Sequence, residues 1–137
     1  METKQCGACG GKAMVVESKD QDMAYKGETI TVKALPGWHC TTCGDSEFVS
    51  PADAEQFSNE VSAAMQVIDV KQAMEVRAIR KRLGLKQAEA AALFGGGANA
   101  FSEYERGLRK PAKSTILLLK LLNLHPELLS EIQLFHF

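Results

Sequence analysis

The sequence predicts an α+β chain: a small zinc-stapled β domain followed by an all-α helix-turn-helix domain. Three observations carry that expectation. Four cysteines, Cys6, Cys9, Cys40 and Cys43, form two C-x2-C pairs with thirty residues between them. The first fifty residues read as short runs and turns, whereas everything beyond about residue 70 has helical periodicity. Charge divides in the same way. Residues 70–123 hold eleven Lys/Arg against four Asp/Glu, a balance of +7, while residues 1–69 hold five against eleven, a balance of −6. The net charge of −1 conceals two halves suited to different partners, the basic one to a polyanion.

Bulk composition narrows the class. At 137 residues, 45% hydrophobic and 24% charged, the chain reads as globular, with room for two small domains. No apolar run approaches the ~20 residues that a bilayer span needs, so no membrane partner is expected. The opening Met-Glu-Thr-Lys-Gln-Cys-Gly lacks the basic-then-apolar pattern of a secretory signal. The expected compartment is the cytoplasm, where cysteines stay reduced and bind metal or do chemistry.

Taken in order, Ala13–Val16 is a brief apolar run that fits a short strand. Residues 25–35 read as a hairpin, because Ile30 and Val32 alternate with Thr29, Thr31 and Lys33, and Lys26-Gly27-Glu28 supplies a turn. So small a sheet cannot bury enough apolar surface to stand alone. Ser50-Pro51 then offers a hydroxyl cap, proline at the first helical position and acids at Asp53 and Glu55. That helix is expected to reach about Met65, with Phe57, Val61, Ala64 and Met65 on one face. A boundary near Val67–Val70 separates domains 1–67 and 68–137.

Beyond it, helices are expected over 71–83 (Val76, Ile79 and Leu83 apolar, Gly84 the stop), 87–94 and 98–106. Two more follow over 115–122, capped by Ser114, and 126–133, opened by Pro126. Leu117, Leu118, Leu121 and Leu122 read as core rather than interface. The tail Leu134-Phe135-His136-Phe137 is apolar enough to pack across a dimer.

The cysteine spacing has a chemical reason. Two residues between ligands form a tight knuckle that aims both thiolates at one ion, and two knuckles complete the tetrahedron that Zn²⁺ prefers. Gly7, Gly10, Gly11 and Gly44 stand where a knuckle needs unusual backbone angles or N–H groups turned toward sulfur. All four thiols are used, so the expected zinc is structural and closed, one per chain, with His39 a neighbour rather than a ligand. Disulfides disagree with the expected compartment, and a redox C-x-x-C would need a βαβ context that is missing.

The stretch from Ile79 to Gly107 carries the DNA argument. Two short helices meet at Gly95-Gly96-Gly97, with Ala88, Ala91 and Ala92 keeping the first slim and Leu85, Leu93, Phe94, Phe101 and Tyr104 as core. In a helix-turn-helix the second helix enters the major groove and its N-terminal residues face base edges. Asn99 can pair in bidentate fashion with adenine, and Glu103, one turn on, can accept from cytosine N4. Gln87 suits a phosphate or base contact, while Arg106, Arg109 and Lys110 suit phosphates. A basic helical bundle that binds protein is the alternative reading of this stretch.

Together these residues resemble the MqsA-type antitoxin family, which joins a YgiT-type zinc domain to a Cro/repressor-like helix-turn-helix. The likeness spans nearly the whole chain. Besides the cysteines it rests on Leu85-Lys86-Gln87, Phe94-Gly95-Gly96-Gly97-Ala98-Asn99-Ala100-Phe101-Ser102, Tyr104-Glu105-Arg106-Gly107 and His125-Pro126-Glu127-Leu128-Leu129. It implies a homodimer formed through the C-terminal domain and bound to an operator palindrome in its own promoter. It also implies an N-terminal domain that neutralises a cognate toxin, typically an mRNA-cleaving ribonuclease. Two positions depart from the pattern. Glu103 stands where the family has an arginine that contacts DNA, and Lys86 replaces the Ser/Thr that caps the first helix of the motif. Asn99 carries over.

A stand-alone transcriptional regulator with a structural zinc domain is the alternative function. An enzyme is not expected, since His39, His125 and His136 form no constellation with Ser or Asp.

Overall fold

The computed structural model describes residues 2–135, so the His136 and Phe137 end of the apolar tail lies outside them. The chain falls into two compact units, Met1–Val67 and Ile68–Phe137.

In the first unit, β1 (Met14–Tyr25), β2 (Glu28–Cys40) and β3 (Ser46–Phe48) form an antiparallel sheet in the order β1-β2-β3. The ladder runs from Met14 opposite Cys40 to Tyr25 opposite Glu28. Lys26 and Gly27 close it as a two-residue turn with φ of 49° and 80°, the hand that matches strand twist. β1 is much longer than the run at residues 13–16 announces. Its continuation, Glu17-Ser-Lys-Asp-Gln-Asp22, is largely exposed on both faces and is held by backbone pairing, so its side chains carry no hydrophobic period. β3, which the sequence reading did not single out, pairs with Gly37–His39.

A register shift between Lys19 and Gln21 bends the ribbon, with Ala34 at φ 52° donating its N–H to Asp20 Oδ1 at 2.9 Å. The shift resets the alternation: Ile30 and Val32 are buried before it, Leu35 and Gly37 after it.

Helix α1 is Pro51–Arg82. Its start is a capping box. Ser50 Oγ accepts from the Asp53 N–H at 3.3 Å, while Asp53 Oδ2 accepts from the Ser50 N–H at 3.1 Å. Two helices were expected here, ending near Met65 and resuming at Lys71. Gln66–Val70 contains neither glycine nor proline, so nothing interrupts propagation once the helix has nucleated. Val61 is buried, and Phe57 packs against Phe48 with ring centroids 5.6 Å apart.

The second unit adds α2 (Gln87–Phe94), α3 (Ala100–Glu105), α4 (Lys113–Leu124) and α5 (Leu129–Gln133), the last entered through a 3-10 turn at Pro126–Leu128. α1 and α3 each end in a Schellman motif. Leu85 N–H reaches Arg80 O and Gly84 N–H reaches Lys81 O; Leu108 N–H reaches Glu103 O and Gly107 N–H reaches Tyr104 O. Val76, Ile79, Leu85, Ala90, Ala91, Ala100, Phe101, Tyr104 and Leu119 form the core. Phe101 sits at its centre, 5.7 Å from Phe94 and 5.3 Å from Tyr104 between centroids.

Three details correct the sequence reading. The small residues packed inside are Ala90 and Ala91, while Ala88 and Ala92 are exposed. Leu93 and Phe94 lie half-buried at the core's edge. Only Leu122 of the four leucines is fully buried, and Leu117 and Leu121 are 56% and 46% exposed. The reason is geometric: α4 is apolar around most of its circumference but meets the core on one side.

Candidate metal centre and nucleic-acid interface

The four thiols are brought together by two matching knuckles. In the first, Gly10 N–H donates to Cys6 O at 2.9 Å and Cys6 N–H to Gly11 O at 2.8 Å. In the second, Gly44 N–H donates to Cys40 O at 3.0 Å and Cys40 N–H to Asp45 O at 2.8 Å. The β1–β2 ladder and a Thr41 N–H bond to Ala13 O (3.0 Å) set one knuckle against the other.

All four Sγ atoms lie within 4.8 Å of one another, with Cys6–Cys43 and Cys9–Cys40 each at 3.7 Å. A tetrahedron with metal–sulfur bonds of about 2.3 Å has edges of about 3.8 Å. The thiols therefore fit a tetrahedral metal ion and are too far apart to be disulfides. Cys6 and Cys40 are buried and pack on Met14, Ala13 and Trp38, whereas Cys9 and Cys43 face outward.

The backbone favours thiolate. N–H groups of Cys43 and then Thr42 point at Cys40 sulfur and bring its pKa down to about 6. At Cys43 an N–H from Asp45 pulls the same way, but partial desolvation of the sulfur, although the residue is exposed, and the neighbouring Cys40, Cys6 and Cys9 push it up to about 12. Four crowded thiols cannot all ionise without a cation among them. His39 stands outside this set, its Nε2 buried without a hydrogen-bond partner among the described residues.

In the second unit, α2, the triple-glycine turn and α3 build the motif. Gly95, Gly96 and Gly97 all have positive φ, from 84° to 97°. Gly96 is the tightest, since a Cβ there would lie 2.8 Å from Tyr104 Oη and 3.1 Å from Arg109 Nη2. Gly96→Ala is expected to lower stability by about 1–3 kcal/mol. Urea unfolding of the full chain, followed by helical circular dichroism, measures this, and an unchanged midpoint would contradict it.

Asn99 precedes α3 as its N-cap residue, yet its side chain makes no capping bond and is exposed. Glu103 follows one turn later, its N–H donating to Asn99 O at 3.0 Å, so both lie on one face. Glu103 Oε2 is 3.4 Å from Arg109 Nη1, and the Arg109 guanidinium lies 5.3 Å over the Tyr104 ring. Arg106 is exposed and donates through Nε to Ser102 O. Lys110 lies 3.5 Å from Asp69, and Gln87 Nε2 is 3.4 Å from Glu105 Oε2. Lys86 supplies no side-chain cap to α2; Glu89 accepts from the Lys86 N–H instead, at 3.0 Å.

Sequence reasoning missed the clasp behind this surface. Arg80 grips Glu105 through Nε (2.9 Å) and Nη2 (2.7 Å), while its Nη1 donates to Leu85 O at 2.8 Å. Both side chains are nearly inaccessible, at 10% and 4%. The clasp joins the end of α1, the loop before α2 and the end of α3. In the sequence Arg80 is one of three consecutive basic residues and Glu105 one of two nearby acids, so no periodicity marks either as buried. Among the described residues no helix is long and apolar enough to cross a membrane.

Comparison with known proteins bears on the family of the chain. Residues 4–133 match the family described as the antitoxin component of bacterial toxin–antitoxin system, MqsA. Antitoxin MqsA of Escherichia coli (strain K12) is 36% identical over 131 residues, covering 94% of this chain and 99% of that protein. The solved N-terminal domain of the E. coli protein MqsA is 23% identical over 47% of this chain and 96% of its own, with a TM-score of 0.43. A match that runs from before the first cysteine to the last helix embraces both halves, and the chain belongs to the MqsA family of antitoxins, components of bacterial toxin–antitoxin systems.

Proposed function

We propose that this antitoxin works in the cytoplasm with two surfaces and no catalysis of its own. Residues 1–67, held by one structural Zn²⁺ on Cys6, Cys9, Cys40 and Cys43, bind and neutralise a cognate toxin, an mRNA-cleaving ribonuclease. Residues 68–137 bind an operator palindrome as a homodimer and repress the chain's own operon.

The single observation that supports the DNA half best is Asn99, an exposed amide at the start of α3 that the fold leaves unused. It stands in the segment whose balance is +7, where phosphate attraction supplies affinity and base edges supply choice. Gln87, Arg106 and Lys110 belong to the same segment. The homodimer reading draws on α4, where Leu117, Leu121 and Leu124 form an exposed row at i, i+4 and i+7. The zinc reading draws on the thiol geometry, since four sulfur ligands in a closed tetrahedron are the chemistry of structural zinc.

The decisive experiment is growth of cells expressing the adjacent open reading frame with and without this chain. Arrest by the neighbour alone, relieved by this chain, supports the antitoxin and its pairing. A harmless neighbour, or one still toxic in its presence, favours the stand-alone regulator. Asn99→Ala is expected to cut affinity for the upstream operator by about tenfold or more, with little change on random duplex. Equal weakening on both would remove Asn99 from base reading.

A further inference from the structure

We propose that Arg109 is a positioning residue: it holds Glu103 as the second base reader of α3, and the base so selected is cytosine. The proposal rests on the DNA-binding reading above and deepens it.

Arg109 is tethered on three sides. Its Nη1 faces Glu103 Oε2 at 3.4 Å and its guanidinium lies 5.3 Å over the ring of the buried Tyr104. Its Nη2 packs over Gly96, where a Cβ would approach to 3.1 Å. A guanidinium on a fixed aromatic face is more confined than a free surface arginine, and it presents donors to a carboxylate in a defined direction. Glu103 is therefore held beside Arg109, partly exposed and one turn along from Asn99.

A carboxylate brought to a polyanion is repelled unless a cation stays beside it, and Arg109 is that cation. The carboxylate can only accept hydrogen bonds. It matches the cytosine N4 amino group and opposes the N7 and O6 acceptors of guanine and O4 of thymine. Adenine offers one amino group beside an acceptor, a pattern that suits the amide of Asn99 better than a carboxylate. Four residues of helix rise about 6 Å, and a helix lying in the major groove is inclined to the duplex axis, so the cytosine lies within about two steps of the adenine read by Asn99.

Selection of a randomised duplex pool by the full-length protein, compared with Glu103→Ala, Arg109→Ala and the double variant, tests this. The wild type is expected to enrich an adenine and, within about two steps of it, a cytosine. Glu103→Ala should lose preference at the second position by about tenfold while keeping the adenine. Arg109→Ala should lose the same preference, and the double variant should lose no more than Glu103→Ala alone. The proposal is overturned if Arg109→Ala weakens all sequences alike and lowers the salt slope by about one, the mark of a phosphate contact. It is equally overturned if Glu103→Ala leaves base preferences intact while the wild type still selects a site. If the wild type selects no sequence at all, the DNA-reading function falls and takes this proposal with it.

Discussion

Removing the metal from the four-thiol site, or replacing Cys40 by serine, is expected to unfold residues 1–67 while the helices of residues 68–137 remain folded. The magnitudes decide the matter. Structural zinc contributes apparent free energies of about 10–16 kcal/mol in small domains at neutral pH, as much as the whole net stability of an ordinary domain, about 5–15 kcal/mol. Beyond the thiol cluster, the buried apolar side chains among the described residues of the first unit are Ile30, Val32, Leu35 and Val61, a small area to set against that loss. β1 is largely exposed, and the cluster that includes Cys6 and Cys40 is completed by Met14, Ala13 and Trp38, all fastened by the knuckles.

Trp38 is the only tryptophan in the chain and packs on that cluster, so its emission reports the event. A strong chelator should shift Trp38 emission to the red and abolish strand circular dichroism, with most helical signal retained and the change reversed by added Zn²⁺. Unmoved Trp38 emission after proven metal loss would refute a metal-dependent fold. Collapse of the helical signal in parallel would refute the independence of the second unit.

Glu105→Ala should be the most damaging single substitution in the second unit away from the core's large apolar residues. It strands the buried Arg80 guanidinium, and losing one member of a buried ion pair costs about 3–5 kcal/mol. For a unit of this size that corresponds to a fall in Tm of very roughly 15–30 °C. Arg80→Ala should do comparable harm, because Leu85 O also loses its donor. The paired replacement Arg80→Met with Glu105→Leu should recover most of the loss, since no charge is then left buried. Thermal unfolding of the four proteins, read by helical circular dichroism, checks this. A loss below about 1 kcal/mol for Glu105→Ala would place the pair with weak surface bridges.

The clasp also bears on function. Glu105 ends the helix that Asn99 precedes and Glu103 belongs to, and its Oε2 accepts from Gln87 Nε2 at 3.4 Å. Loosening it should disturb the face proposed to meet DNA even at temperatures where the chain remains folded.

How far the sequence reaches follows from which physical signals are local. Cys6-x2-Cys9 and Cys40-x2-Cys43 announce a metal site because ligand spacing within a knuckle is a property of four adjacent residues. Ser50-Pro51-Ala52-Asp53 announces a helix start, and Gly84 and Gly107 announce helix ends, because caps are satisfied within a few residues of backbone. Asn99 and Glu103 share a face because helical period is local too. The family likeness is written in such short motifs.

Other features were decided by partners distant in the chain. The polar stretch of β1 is a strand only because residues 31–37 pair with it, and cross-strand hydrogen bonds leave no mark on side-chain polarity. The alternation in β2 slips at Ala34 because Asp20, fourteen residues away, takes its N–H. Ala90 and Ala91, rather than Ala88 and Ala92, face inward because packing fixes how α2 is rotated. Arg80 and Glu105 are twenty-five residues apart and look solvated until the fold removes water from both. The sequence by itself determined the helix caps, the four thiols that cluster and the placing of Asn99 and Glu103 one turn apart. Tertiary structure alone decided which charges are buried and which leucines remain exposed, because desolvation depends on what every other segment covers.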